Sequence, residues 1–135
     1  MTTGKRLIIC RIAFVLYLAL VIFLCFGHFE HGPNLPKKFL NIPFDKVIHF
    51  LMFLPFPVLA AMSLRRLGKT SWRTAFAVVG IFAAGCLVAA GTEIGQGLTD
   101  YRSADRTDFY ADAAGMCLSS LIILIKDIKD KWAKN

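Results

Sequence analysis

The run LIICRIAFVLYLALVIFLCF, Leu7–Phe26, is 20 residues long and carries one charge, Arg11. A hydrocarbon core about 30 Å thick takes about 20 apolar residues of helix, so this run has the length of one bilayer crossing. Arg11 stands near its start, where a long side chain reaches the headgroups while its stem stays in hydrocarbon. The basic residues Lys5 and Arg6 would suit a secretory leader, but LCFGHFEH, Leu24–His31, offers no A-x-A-like exit. The expectation is a helix retained in the membrane.

Working outward, three more apolar stretches follow, at about 47–64, 75–97 and 109–125. The last is the weakest, because Asp112 falls in its first turn. With 56% hydrophobic and 19% charged residues and a mean hydropathy of +0.58, the chain suits lipid better than water. The reading is an all-α membrane protein, a four-helix transmembrane bundle forming one domain over residues 1–135. Cys10, Cys25, Cys86 and Cys117 all fall inside helices, as small apolar packing residues rather than a disulfide or metal framework. Pro55 and Pro57 should bend the second helix. Trp72 and Trp132 suit interfacial anchors, and the tail from Lys126 suits an extension of the last helix beyond the bilayer.

Four crossings divide the charge sharply. One side receives Lys5, Arg6, Arg11, Arg65, Arg66, Lys69, Arg73, Lys126, Lys129, Lys131 and Lys134, against only Asp127 and Asp130. The other receives Lys37, Lys38, Lys46, Arg102 and Arg106 against Glu30, Asp45, Glu93, Asp100, Asp105, Asp108 and Asp112. Basic residues mark the cytoplasmic face, so both termini should lie there and the acid-rich connections outside. Topology and the anionic inner leaflet then account for the net charge of +7, without a nucleic-acid partner.

On the acid-rich side, polar groups recur at helix ends. Asp45 and His49 are four apart and share a helical face, with Pro43 just before them at the helix entry. Glu93 and Gln96 share a face at the end of the third helix, and Gly91 and Gly95 form a G-x-x-x-G stripe for close helix approach. Asp105, Asp108 and Asp112 recur at three and four, with Asp105 or Asp108 placed to cap the fourth helix. Ionisable groups in a membrane face a bundle interior or a wet cavity, so these helix ends should meet in a polar pocket near the outer face.

Three chemistries suit such a pocket. It can be a structural network, with Arg102 and Arg106 neutralising the aspartates. It can bind a divalent metal through His49, Glu93, Asp108 and Asp112, although the spacing follows no dedicated metal motif. Or it can hold a phosphate headgroup on Arg102 and Arg106, with Asp45, His49, Glu93 and Asp108 as candidate acid–base groups. No Ser or Cys is placed as an activated nucleophile beside His49, which disfavours triad-type acyl transfer. His28 and His31 in the first connection read as solvated residues at the membrane edge, and polar groups at one end do not make a channel path.

In this order the motifs resemble the VanZ-like family of small bacterial membrane proteins, named for an accessory determinant of teicoplanin resistance. The matching positions are Asp45, Lys46 and His49, then Glu93 and Gln96, Arg102, Asp108, and Asp112 with Gly115. The family usually shows Asn where this chain has Asp112. The resemblance implies a multi-pass protein of the bacterial inner membrane, linked to glycopeptide and lipoglycopeptide resistance, with no established reaction. With Asp105 and Arg106 added from the residue reading above, the expected ligand site comprises Asp45, Lys46, His49, Glu93, Gln96, Arg102, Asp105, Arg106, Asp108 and Asp112. Envelope lipids, a lipid-linked cell-wall precursor or the glycopeptide itself are the expected partners. The alternative is an enzyme, a hydrolase or transferase acting on a lipid-linked phosphate.

Overall fold

The computed structural model describes residues 3–27, 38–39, 41–64, 67, 70–100 and 103–133. It contains helices α1 (Thr3–Phe26), α2 (Phe44–Phe53), α3 (Phe56–Ser63), α4 (Ser71–Gly97) and α5 (Arg106–Trp132). A two-residue antiparallel pair, β1 (Lys38–Phe39) with β2 (Ile42–Pro43), leads into α2. Sequence patterning did not anticipate it. Asn41 takes φ 65° there, a left-handed conformation that asparagine tolerates better than most residues.

Counting α2 and α3 as one segment, four spans among the described residues are long and apolar enough to cross a membrane: Thr3–Phe26, Phe44–Ser63, Ser71–Gly97 and Arg106–Trp132. Each expected span lengthens, the first starting at Thr3 rather than 7. The second span starts at Phe44 rather than 47, the third at Ser71 rather than 75, and the fourth runs from Arg106 to Trp132 rather than 109–125. Apolarity marks only the part of a helix that lies in hydrocarbon. Capping and charged turns carry the helix further, as with Asp105, whose carboxylate accepts from the Thr107 N–H at 2.8 Å.

The expected bend in the second span falls at Leu54–Pro55. Pro55 and Pro57 lack the N–H groups that would reach the Leu51 and Phe53 carbonyls. At the same place Tyr17 of α1 donates its hydroxyl to the Met52 carbonyl at 2.7 Å, a neighbouring helix supplying a donor where the ladder is interrupted. The helix then resumes with Leu59 N–H on the Pro55 carbonyl at 2.9 Å.

α5 packs against both α4 and α2, while α1 lies on α3. The core holds Val21, Cys25, Phe53, Phe56, Ala60, Ile81, Ala89 and Met116. Phe14 and Phe56 meet edge-on, their centroids 5.5 Å apart. Two glycines permit the closest approaches. Gly115 lies against the Phe50 carbonyl and Leu54 N of α2, and Gly85 against Met116 and Phe56. The anticipated glycine stripe behaves differently: Gly91 faces open space, and Gly95 receives the Phe26 ring rather than a helix backbone. Large apolar side chains such as Val15, Leu16, Phe76, Leu87 and Leu121 point outward, as lipid-facing residues do.

The helices run up and down, so their ends collect in two groups. At one end Arg11 Nε donates to the Ser63 carbonyl at 3.2 Å. Lys131 there reaches Asp127 at 2.7 Å and Thr74 at 3.2 Å. At the other end Gln96 Nε2 donates to the Cys25 carbonyl at 2.9 Å, tying α4 to α1. The four cysteines carry thiols: Cys25 is buried, Cys10 and Cys86 are half-buried and Cys117 is exposed.

Candidate functional site

The second end of the bundle brings α2, α4 and α5 together around His49, Glu93 and Asp112, all buried. α2 delivers His49 one turn into its helix, where Nδ1 lies 3.0 Å from Asp112 Oδ1 and Nε2 lies 3.6 Å from Asp108 Oδ2. Both aspartates come from one face of α5, as their spacing of four requires. The imidazole is thus held between two carboxylates of a neighbouring helix.

Lys46, one turn before His49, is the cation of the site. Its ammonium donates to Asp105 Oδ2 at 2.6 Å and to Asp108 Oδ1, and lies 3.1 Å from Asp45 Oδ2. Arg106 does not take the neutralising part that one sequence reading gave it. Arg106 is exposed and makes no ion pair among the described residues, and Arg102 lies outside them. Lys46 neutralises the aspartates because the first turn of α2 sits opposite the first turn of α5, within reach of a four-carbon stem. The anticipated pairing of Asp45 with His49 is also replaced. Asp45 is largely exposed at the mouth and turns to Lys46, while His49 turns inward to α5.

Glu93 joins the group from α4. Its Oε2 accepts the Asp105 N–H at 3.0 Å, tying the end of α4 to the start of α5. Asp105 also takes donors from Thr107 N–H and Oγ1, at 2.8 and 2.7 Å. The Lys46 ammonium, with these Thr107 donors, holds the Asp105 carboxyl well below the usual carboxylate range. Two buried oxygens of this cluster, Glu93 Oε1 and Asp112 Oδ2, have no hydrogen-bond partner among the described residues. One donor atom each from His49, Glu93 and Asp112 lies within 4.8 Å of the others. Asp108, read from sequence as a further metal candidate, is drawn instead to Lys46 and His49.

Beside Glu93, the lipid-facing seam of α4 and α5 holds a groove of about 350 Å³. Ala90, Ile94, Phe109 and Tyr110 wall it, and Arg106 and Glu93 supply its polar groups. Two larger clefts, about 560 and 500 Å³, lie at the opposite end among Arg6, Arg11, Met62 and Lys126. They contain none of the His49 cluster, so volume alone does not mark the chemistry.

Sequence reading missed three features. Lys46 was one site residue among several rather than the hub, Gly115 was a motif position rather than the contact between α2 and α5, and Tyr17 carried no signal. The proline pair implied that some donor must serve the bend, but no spacing rule points to a tyrosine 35 residues away.

Neither the curated proteins nor the solved structures contain a match to this sequence. The VanZ/LLP1 family profile matches residues 14–127, from the middle of α1 to the final turns of α5, and takes in every residue of the polar end. The chain is a multi-pass membrane protein and belongs to the VanZ/LLP1 family.

Proposed function

We propose that the polar end of this bundle binds a lipid-linked phosphate of the bacterial cell envelope at the outer leaflet of the inner membrane. By that binding the protein lowers susceptibility to glycopeptide and lipoglycopeptide antibiotics. The observation that supports this is the groove between α4 and α5, which opens among lipid-facing side chains and carries Arg106 and Glu93. Apolar walls suit an acyl or prenyl chain, and the Arg106 guanidinium, which has no carboxylate partner among the described residues, can take a phosphate in bidentate fashion. The outer placement rests on charge segregation: the basic residues gather at the other end of the helices.

The test uses full-length protein in nanodiscs, with binding of a polyprenyl phosphate, phosphatidylglycerol and teicoplanin measured separately. Arg106→Ala should weaken phosphate-lipid binding at least about tenfold, as expected for loss of a charge-assisted contact. Antibiotic resistance of cells expressing the variant should fall in step. Unchanged lipid binding alongside lost resistance would refute the binding mechanism, and saturable capture of teicoplanin alone would make the antibiotic the ligand.

The position of His49 between Asp108 and Asp112 favours a second reading, acid–base chemistry on the same class of phosphate. Under it, protein incubated with envelope lipid extract and divalent metal yields a product of changed mass that is absent with His49→Asn. No product under any metal condition removes this reading.

A further inference from the structure

We propose that His49, Glu93 and Asp112 form a site for one divalent transition-metal ion, Zn²⁺ or Mn²⁺, inside the polar end of the bundle. The three residues come from three helices, α2, α4 and α5, and are 5%, 7% and 0% exposed. Their donor atoms lie within 4.8 Å of one another. In each carboxylate one oxygen is engaged, Glu93 Oε2 by the Asp105 N–H and Asp112 Oδ1 by His49. The other oxygens, Glu93 Oε1 and Asp112 Oδ2, are buried without a hydrogen-bond partner among the described residues. Native proteins rarely leave such atoms unmatched, and two in one cluster call for a shared positive partner. Lys46 is not that partner, because Asp105, Asp108 and Asp45 already surround its ammonium.

The donor set selects the ion. One imidazole and two carboxylates suit Zn²⁺ or Mn²⁺, whereas Ca²⁺ takes six to eight oxygens. Metal bonds of about 2.1 Å in a tetrahedral site space the ligands about 3.4 Å apart. The ion would replace the proton that His49 Nδ1 and Asp112 Oδ1 share at 3.0 Å, a separation already near that spacing. With Nδ1 on the metal, Nε2–H points to Asp108 Oδ2, and Lys46 holds Asp108 from the far side. Asp108 is therefore a positioning residue that orients the ligand imidazole, the arrangement by which carboxylates tune metal-bound histidines. Three protein ligands leave a coordination position open for water or for an oxygen of a bound molecule.

The inference does not depend on the lipid reading, because metal is measured on protein alone. Tag-free protein, purified in detergent, is stripped with chelator and reloaded with Zn²⁺, Mn²⁺ or Co²⁺. Expected are about one ion per chain by mass spectrometry and, for Co²⁺, visible absorption from a low-symmetry N/O site. Asp112→Asn and Glu93→Gln should lower affinity by at least about a hundredfold, and Asp108→Asn by about ten- to a hundredfold. A variant with both His28 and His31 changed to Ala, and Asp127→Asn at the opposite end, should bind as wild type. Wild-type protein showing neither stoichiometric metal nor a Co²⁺ spectrum overturns the site, whatever the variants do. So does affinity that is lost with the His28 and His31 changes and kept with Asp112→Asn.

Discussion

Gly115→Ala tests the link between fold and site most directly. A methyl group at Gly115 would intrude on the Phe50 carbonyl oxygen and lie 3.2 Å from Leu54 N, both backbone atoms of α2 that no rotamer change can move aside. Restoring an ordinary carbon–oxygen contact of about 3.3–3.6 Å separates α2 from α5 by about an ångström. Overpacking of this kind costs about 1–3 kcal/mol, while replacing helical glycine by alanine returns up to about 1 kcal/mol. Gly91→Ala isolates the two effects, because its methyl group meets nothing within 4 Å and gains the helix propensity alone. The two variants should therefore differ by about 1–3 kcal/mol, roughly 5- to 150-fold in the folded-to-unfolded ratio. The assay is reversible unfolding in mixed micelles, followed by circular dichroism. His49 and Phe50 are neighbours, and Asp112 is one turn from Gly115. The same separation therefore stretches the 3.0 Å His49–Asp112 contact towards and beyond hydrogen-bond range. The His49 ring resonances should shift in Gly115→Ala and stay put in Gly91→Ala. Equal stability and equal ring shifts in the two variants would refute this account of the contact between α2 and α5.

Lys46→Met leaves Asp108 and Asp105 without their ammonium. Because Lys46 and Asp108 are only 16% and 13% exposed but Asp105 is open to water, the cost should be about 2–3 kcal/mol, between surface and fully buried pairs. Adding Asp108→Asn should recover part of that loss, and a double variant no more stable than the single one counts against Lys46 as the hub. Tyr17→Phe removes the donor at the proline bend and should cost about 0.6 kcal/mol, at most about 1.7, in the same unfolding assay. A neutral result would mean that the Met52 carbonyl needs no such donor. Asp105 should stay ionised well below the usual carboxylate value of about 3.9. Since its folded-state pKa is depressed, its contribution as cap and Lys46 partner is complete above that value and fades only as pH falls through the lower folded one. A carboxyl carbon titration of Asp105 with a midpoint at or above the ordinary value contradicts this.

Much of this arrangement can be read along the chain because a bilayer penalises two things strongly. Exposed polar backbone is one, so apolar runs such as Leu7–Phe26 must be helices. Unpaired charge is the other, so Glu93 and Asp112 must meet something. Helical spacing places Asp108 and Asp112 on one face, and Asp105 caps because its short side chain can turn back on its own helix. Spacing within one helix cannot report the rotation of that helix against its neighbours. The Asp45–His49 pair therefore looked like a unit, although His49 faces α5 and Asp45 faces the mouth. Nor can it rank the cations: Lys46, Arg102 and Arg106 are equivalent as charges, and only the approach of α2 to α5 at Gly115 decides that Lys46 reaches both aspartates.

The site draws its last members from the last helix, and this orders its birth. When Lys46 and His49 first enter the bilayer during synthesis, the span that carries Asp108 and Asp112 has yet to follow them. In that interval Asp45, beside Lys46 in the sequence and 3.1 Å from its ammonium in the finished bundle, is the carboxylate at hand for it. α5 then enters with two aspartates whose entry is favoured by the contacts they make with Lys46 and His49. Insertion of the final span and completion of the polar end are thus one event, and a chain truncated before residue 105 would carry a lysine, a histidine and a glutamate that the membrane has reason to reject.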